Sequence, residues 1–294
     1  MSTRSTTRLA LTAGAASVAM AALLVALKLW ALGETGALSV AASLADSAMD
    51  LMMSLAAMAA LVYAAKPADE DHAFGHTSAE DLAALGQAIF ILISAAIIAF
   101  AATGRLMDPA AAPLQAQGRG MLVMGVSVAL TLGLVLWQGH VARRTGSKVV
   151  AADRLHYLGD LLPNLGAIAS LWASSTFGMG QIDSIVAIGA AVMLALGALR
   201  IGKGAWDALM DRRADPAIIE GIGRIAADWP GVYGYHDLKT RTAGSRIFVN
   251  IHIELDGSQT LREAHDIGAG LRRAILAAYP HADVIIHKDV TGET

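Results

Sequence analysis

Two pairs of ionisable residues stand in apolar surroundings that do not ordinarily hold them. Asp46 and Asp50 are four apart in Leu-Ala-Asp-Ser-Ala-Met-Asp, and His156 and Asp160 are four apart in Leu-His-Tyr-Leu-Gly-Asp. Residues four apart on a helix share one face, a turn apart, so each pair points at one place. If the two faces meet, three carboxylates and one imidazole surround a small volume. A divalent cation there would offset much of the repulsion that a bare cluster suffers. Four nitrogen and oxygen ligands suit tetrahedral Zn2+ and accept Fe2+, Cd2+ or Co2+. The competing reading places Asp46 and Asp50 in a wet vestibule, with His156 and Asp160 opening their helix near an interface. Asp153, one turn before His156, reads as an interfacial acid beside Arg154, or else as a group supporting His156 from behind.

The elements that must position these residues are spans. The 294 residues are 55% hydrophobic and 16% charged, with a mean hydropathy of +0.52, outside the ordinary range of soluble domains. A charged group at the centre of a spanning helix costs about 2.5–3.5 kcal/mol on insertion scales, so acids there need a reason. A helix crosses a bilayer core with about 20 apolar residues. Leu82–Gly104 and Met121–Gly139 meet that need without a single charge. Leu9–Leu32, Leu38–Ala65, Val149–Phe177 and Ile182–Ile201 bring the expectation to six spans. The first is too long for a removable leader and has no clear cleavage site.

An even number of spans puts both termini on one side of the lipid bilayer. Arg4, Arg8, Lys66, Arg143, Arg144, Lys148, Lys203, Arg212 and Arg213 would lie on that side, against Arg105 and Arg119 opposite, which makes it the cytoplasm. Cysteine is absent, which excludes disulfides and thiolate ligands. A net charge of −3 gives no reason to expect nucleic acid as a partner.

From about Met210 the composition becomes that of a soluble domain, so residues 1–209 and 210–294 read as two domains. Ile218, Ile222, Ile225 and Trp229 have amphipathic helical spacing. Ile247, Val249, Ile251, Ile253 and Leu255 alternate as in a strand, leaving Phe248, Asn250, His252 and Glu254 on its other face. A second helix follows with Leu261, Ala264, Leu271 and Ile275 inward, then a short strand at Val284–Ile286. The order helix, strand, strand, helix, strand predicts a small α+β layer of roughly 80 residues.

Two further groups offer metal ligands. The loop Pro-Ala-Asp-Glu-Asp-His-Ala-Phe-Gly-His holds Asp69, His72 and His76 within eight residues, although a solvated loop explains such a set equally well. The C-terminal domain holds His236, His252, His265 and His287, four of the nine histidines, together with Asp289. His287 and Asp289, two apart on a strand, project from one face. Each alone is an ordinary surface residue; their concentration in so small a domain suggests a cluster.

These segments resemble the cation diffusion facilitator family, in particular its bacterial zinc and iron efflux branch. The likeness runs from about Lys28 to Asp289. It is carried by Ser-Leu-Ala-Asp-Ser-Ala-Met-Asp, by the loop segment with Ala79 and Glu80, by Leu-His-Tyr-Leu-Gly-Asp, by His-Asp-Leu-Lys-Thr-Arg and by Asp-Val-Ile-Ile-His-Lys-Asp, in that order. The resemblance implies a homodimer in the bacterial cytoplasmic (inner) membrane, with six transmembrane helices per subunit. It also implies a cytoplasmic C-terminal domain of ferredoxin-like, metallochaperone-like fold.

The resemblance matches Asp46, Asp50, His156 and Asp160 to a transport site, and Asp69, His72 and His76 to a loop site. It matches His236, His252, His265, His287 and Asp289 to a binuclear site between cytoplasmic domains, where Zn2+ or a similar ion would be a structural and regulatory ligand. One departure stands out. Members of this branch often have a lysine after the loop histidines that interlocks with an acid beyond the sixth span; here that position is Ser78, with Asp211 remaining as the acid.

The implied activity is efflux of Zn2+, or of Fe2+, Cd2+ or Co2+, by alternating access with protons as the coupling ion. The imidazole of His156 can take either a proton or a metal near neutral pH. A metal-binding sensor or scaffold without transport is the alternative. An intramembrane metalloenzyme would need an open coordination position and a general base, and no His-Glu-x-x-His motif occurs.

Overall fold

A computed structural model describes residues 3–35, 38–107, 118–159, 161 and 182–292. Within these, the side chains of 3–5, 28, 31–35, 38–46, 105, 118–127, 182–184, 186 and 187 are not described. The chain divides into two compact units, one of Thr7–Trp206 and one of Asp207–Thr294 with Met1–Thr6.

The first unit is helical: α1 (Thr3–Thr35), α2 (Leu38–Ala64), α3 (Ser78–Met107), α4 (Gly118–Thr145), α5 (described over 148–159) and α6 (Ile182–Leu209). Among the described residues, Thr6–Leu27, Ser47–Ala64, Ser78–Gly104 and Ile188–Leu209 are long and apolar enough to cross a membrane. The fifth expected span falls largely outside the described residues, and in the fourth the side chains of 121–127 are not described. Phe100, Ile97, Ile93, Leu136 and Leu196 point outward, as lipid-facing side chains must.

Lipid is as apolar as leucine, so such helices associate through close packing of small residues and through buried polar contacts. Both devices are present. Ala13, Ala57, Ala84 and Ala205 are buried together with Leu61, Val141 and Val149. A Cβ at Gly197 would stand 2.9 and 3.0 Å from the Leu155 methyls, so this glycine lets α5 seat on α6. Ser17, Ser54 and Gln138, on α1, α2 and α4, are fully buried polar groups.

The second unit runs α7 (Pro216–Ala227), β1 (Gly234–Ala243), β2 (Arg246–Leu255), α8 (Leu261–Ala278) and β3 (Ala282–Val290). β2 is central, antiparallel to β1 and parallel to β3. Its alternation puts Val249, Ile251, Ile253 and Leu255 against Ile222, Leu271 and Ile275, and these form the core. The opposite face stays polar, with Arg241 over the ring of Phe248 at 4.2 Å.

Leu261, expected to face inward, is 85% exposed. It is the first residue of α8, before the helix has turned its apolar stripe onto the sheet. Thr260 caps that helix: its hydroxyl accepts the Glu263 N–H at 3.3 Å, and the Thr260 N–H donates to the Glu263 carboxylate at 2.7 Å. Thr260→Ala should destabilise α8 by about 1 kcal/mol, seen as faster amide exchange in its first turn. Hydrogen bonds from the Thr260 N–H and hydroxyl hold the Glu263 carboxyl below its ordinary range. This stabilisation is therefore present above that range and lost as pH falls through the depressed value. The difference between variant and wild type should narrow in acid.

Candidate metal centres

α2 and α5 meet where the paired spacing requires. His156 Nε2 lies 3.1 Å from Asp50 Oδ1, and both residues are only 9% exposed. The edge of Phe90, on α3, closes one side of the imidazole, with ring centroids 5.9 Å apart. Two of the four expected ligands are thus in contact. Asp46 lies on α2 one turn before Asp50, its side chain outside the described set, and Asp160 lies outside the described residues.

Tyr157, the residue after His156, is held by Ser54 at 2.9 Å and by the Ser17 carbonyl at 3.2 Å, which ties α5 to α2 and α1. Asp153 does not face solvent. It is 3% exposed and accepts a hydrogen bond from Gln138 Nε2 at 2.8 Å. Arg154 turns away to the Val135 carbonyl on α4 at 3.2 Å. The helical phase explains the difference: Asp153, three residues before His156, is within about 60° of its face, whereas Arg154, two residues before it, is about 160° round.

The start of α5 is anchored to the start of α3. Lys148 Nζ donates to Asp81 Oδ1 at 2.7 Å, where Asp81 is fully buried, and the Ser147 hydroxyl donates to Glu80 at 3.1 Å. At the position where an interlocking lysine was expected, the chain has Ser78. Asp211, the acid of that expected interlock, pairs instead with Arg241 at 3.3 Å.

In the loop between α2 and α3, Asp69 gathers both histidines. His72 Nδ1 and His76 Nε2 each lie 3.2 Å from a different Asp69 oxygen. Gly75, at φ 83°, makes the turn that returns the chain to His76. The His72 backbone N–H at 2.7 Å is the chief cause that holds the Asp69 carboxyl below its ordinary range; the His72 ring bond and both imidazoles add to it. His76 is buried against the edge of Tyr63, and its Nδ1 has no hydrogen-bond partner among the described residues.

The third cluster lies across the C-terminal sheet. The register pairs His236 with His252 and His252 with His287, so the three imidazoles form a row with one member per strand. A bulge between His236 and Lys239, with Asp237 at φ 49°, sets the end of β1. Asp289 receives all three rings: His252 Nδ1 at 2.9 Å, His287 Nε2 at 3.0 Å and His236 Nε2 at 3.3 Å. The His252 hydrogen bond is the main cause that lowers the Asp289 carboxyl, and the neighbouring imidazoles assist. Glu254 joins at His236 Nδ1, 3.2 Å away. It was not singled out as a ligand, yet its place two residues after His252 on the polar face was the signal for it.

His265, expected with this set, lies exposed on α8 and is not among the residues gathered round Asp289. Helical periodicity places a residue on a face of its own helix and says nothing of the sheet's far side. One ligand atom from each of Asp69, His72 and His76 lies within 4.8 Å of the others, and the same holds for His236, His252 and Asp289. Imidazoles crowded on one carboxylate are lone-pair donors that a divalent cation satisfies, and the donor types fit Zn2+ and its neighbours.

Comparison with known proteins covers both units. Residues 15–210 match the cation efflux transmembrane domain, and residues 214–290 match the cytoplasmic domain of cation efflux proteins. The cation-efflux pump FieF of Klebsiella pneumoniae is 40% identical over 282 residues, 96% of this chain and 93% of that protein. FieF of Yersinia enterocolitica is 39% identical over 285 residues, 97% and 94% of the two chains. Among solved structures, the metal-bound C-terminal domain of the CzcD transporter from Thermotoga maritima is 25% identical. It covers 26% of this chain and 92% of its own, with a TM-score of 0.26.

Proposed function

This chain belongs to the cation efflux family, the cation diffusion facilitators, and from that premise we propose that it exports Zn2+ or a similar divalent cation from the cytoplasm in exchange for protons. Membership makes it a membrane-embedded cation transporter and not an enzyme. The observation that carries the rest is the buried Asp50–His156 contact at 3.1 Å. Two side chains from separate helices, one anionic and one a nitrogen donor, converge away from solvent as a cation site requires.

In this reading Asp46, Asp50, His156 and Asp160 hold the cargo within six spans, and helix rocking exposes it alternately to each side. Residues 1–209 form the transport domain and 210–294 the cytoplasmic one. The protein works as a homodimer in the bacterial inner membrane with both termini in the cytoplasm. Asp69, His72 and His76 form a lesser site at the membrane surface. His236, His252, His287 and Asp289, with Glu254 beside them, would hold a resident Zn2+ or similar ion, which supplies positive charge to bind the row together. His265, apart from that row, fits a ligand given to a second copy's domain.

The test is flux into vesicles of reconstituted full-length protein, with Zn2+, Fe2+, Cd2+ and Mn2+ offered in turn and a pH dye inside. Zn2+ should accumulate at the expense of a proton gradient. Metal binding without flux would return the scaffold reading, and flux indifferent to the gradient would remove the proton.

A further inference from the structure

Asp153 is a buried carboxyl whose hydrogen-bond account does not close. Gln138 uses both amide hydrogens: Nε2 donates to Asp153 Oδ2 at 2.8 Å and to Ser17 Oγ at 2.9 Å. Ser17 gives its own hydrogen to the Ala13 carbonyl, a turn back on α1, at 3.0 Å. Two acceptors remain, Asp153 Oδ1 and Gln138 Oε1, both buried and without a hydrogen-bond partner among the described residues. While the carboxyl is ionised both of these atoms only accept; a carboxylic acid carries the one hydrogen the group lacks. Leaving a charged acceptor buried and unsatisfied is the costlier state.

We propose that Asp153 carries a proton on Oδ1 while the metal site is empty and gives it up when a divalent cation binds, so that it is a proton-carrying residue of the exchange. This rests on the metal-for-proton reading above and goes beyond it, because Asp153 is not one of the four metal ligands. It sits three residues before His156 on nearly the same face of α5. Among the described residues, the ionisable groups that act on it are His156 on its own helix and Asp50 on α2; α1 and α4 bring Ser17 and Gln138, which do not ionise.

With the site empty, burial disfavours the charged form and the carboxyl of Asp50 adds to this, while the imidazole of His156 works against it. A dication between Asp50 and His156 reverses the sign and favours the carboxylate. The Oδ1–H bond then breaks with its electron pair kept by oxygen, and the proton passes to water. One positive charge leaves as two arrive.

The test counts protons released as full-length protein is titrated with Zn2+ in weak buffer containing a pH dye. Asp153→Asn keeps the shape, puts an amide donor in place of one carboxyl oxygen and holds no releasable proton. It should release about one proton fewer per transport site than wild type; equal release overturns the proposal. Vesicle flux separates the two readings. A wild type that moves Zn2+ with no proton counterflow sinks the exchange itself, whereas proton-coupled transport with unchanged release in Asp153→Asn sinks only the role of Asp153. Should that variant not fold, infrared difference spectra decide. Zn2+ should bleach a protonated-carboxyl C=O band in the wild type, at a frequency that Gln138→Leu shifts. No bleach, or one that Gln138→Leu leaves in place, overturns the assignment.

Discussion

Asp50→Ala should abolish Zn2+ flux in reconstituted vesicles while leaving the protein at least as stable as wild type. The side chain is one half of the buried pair with His156. Even groups that only support a metal's ligands cost 10–100-fold when removed, so loss of a ligand should cost on the order of 100-fold or more. Stability should move the other way, because an acid inside a span opposes insertion and alanine does not. Flux and thermal unfolding, measured together, therefore separate a ligand from a structural residue. Asp160→Ala should behave alike if the two ligand pairs share one ion. Wild-type flux from Asp50→Ala would remove the site.

Lys148→Ala should have the largest effect on stability. It takes one cation from Asp81, a fully buried carboxylate 2.7 Å away. Breaking a buried pair costs about 3–5 kcal/mol; the lysine end is 28% exposed, which favours the lower figure, about 3 kcal/mol. The diagnostic is the double variant. Lys148→Met with Asp81→Asn removes both charges and should recover most of the loss in denaturation of the detergent-solubilised protein. Additive losses in the double variant would show that the two residues act separately.

The helical period found the intramembrane pair, because four-residue spacing and the cost of burying charge act within single helices. It could equally have found Asp153, since three residues is nearly one turn; the neighbouring Arg154 pulled the reading towards an interface. Strand alternation in β2 gave the core face and, on the other face, His252 with Glu254. The bulge after His236 was not legible, because it depends on how β1 accommodates its partner and not on any periodicity of its own. The inward placement of Leu261 failed for a physical reason. A helix's apolar stripe is readable, but where its ends overhang the sheet is decided by the length and entry angle of the connections.

The row on the C-terminal sheet draws its side chains from three separate strands, residues 236, 252, 287 and 289, so only the folded domain assembles it. The loop set, by contrast, lies within eight residues of chain and needs little fold to gather. An ion that binds the folded row and not the loose chain adds about 2.7 kcal/mol to stability at a hundred times its dissociation constant. Metal supply would thereby set the fraction of molecules open to proteases at any moment. The lifetime of the exporter in the cell should then lengthen as its cargo accumulates and shorten when the metal is scarce, with no change in its synthesis.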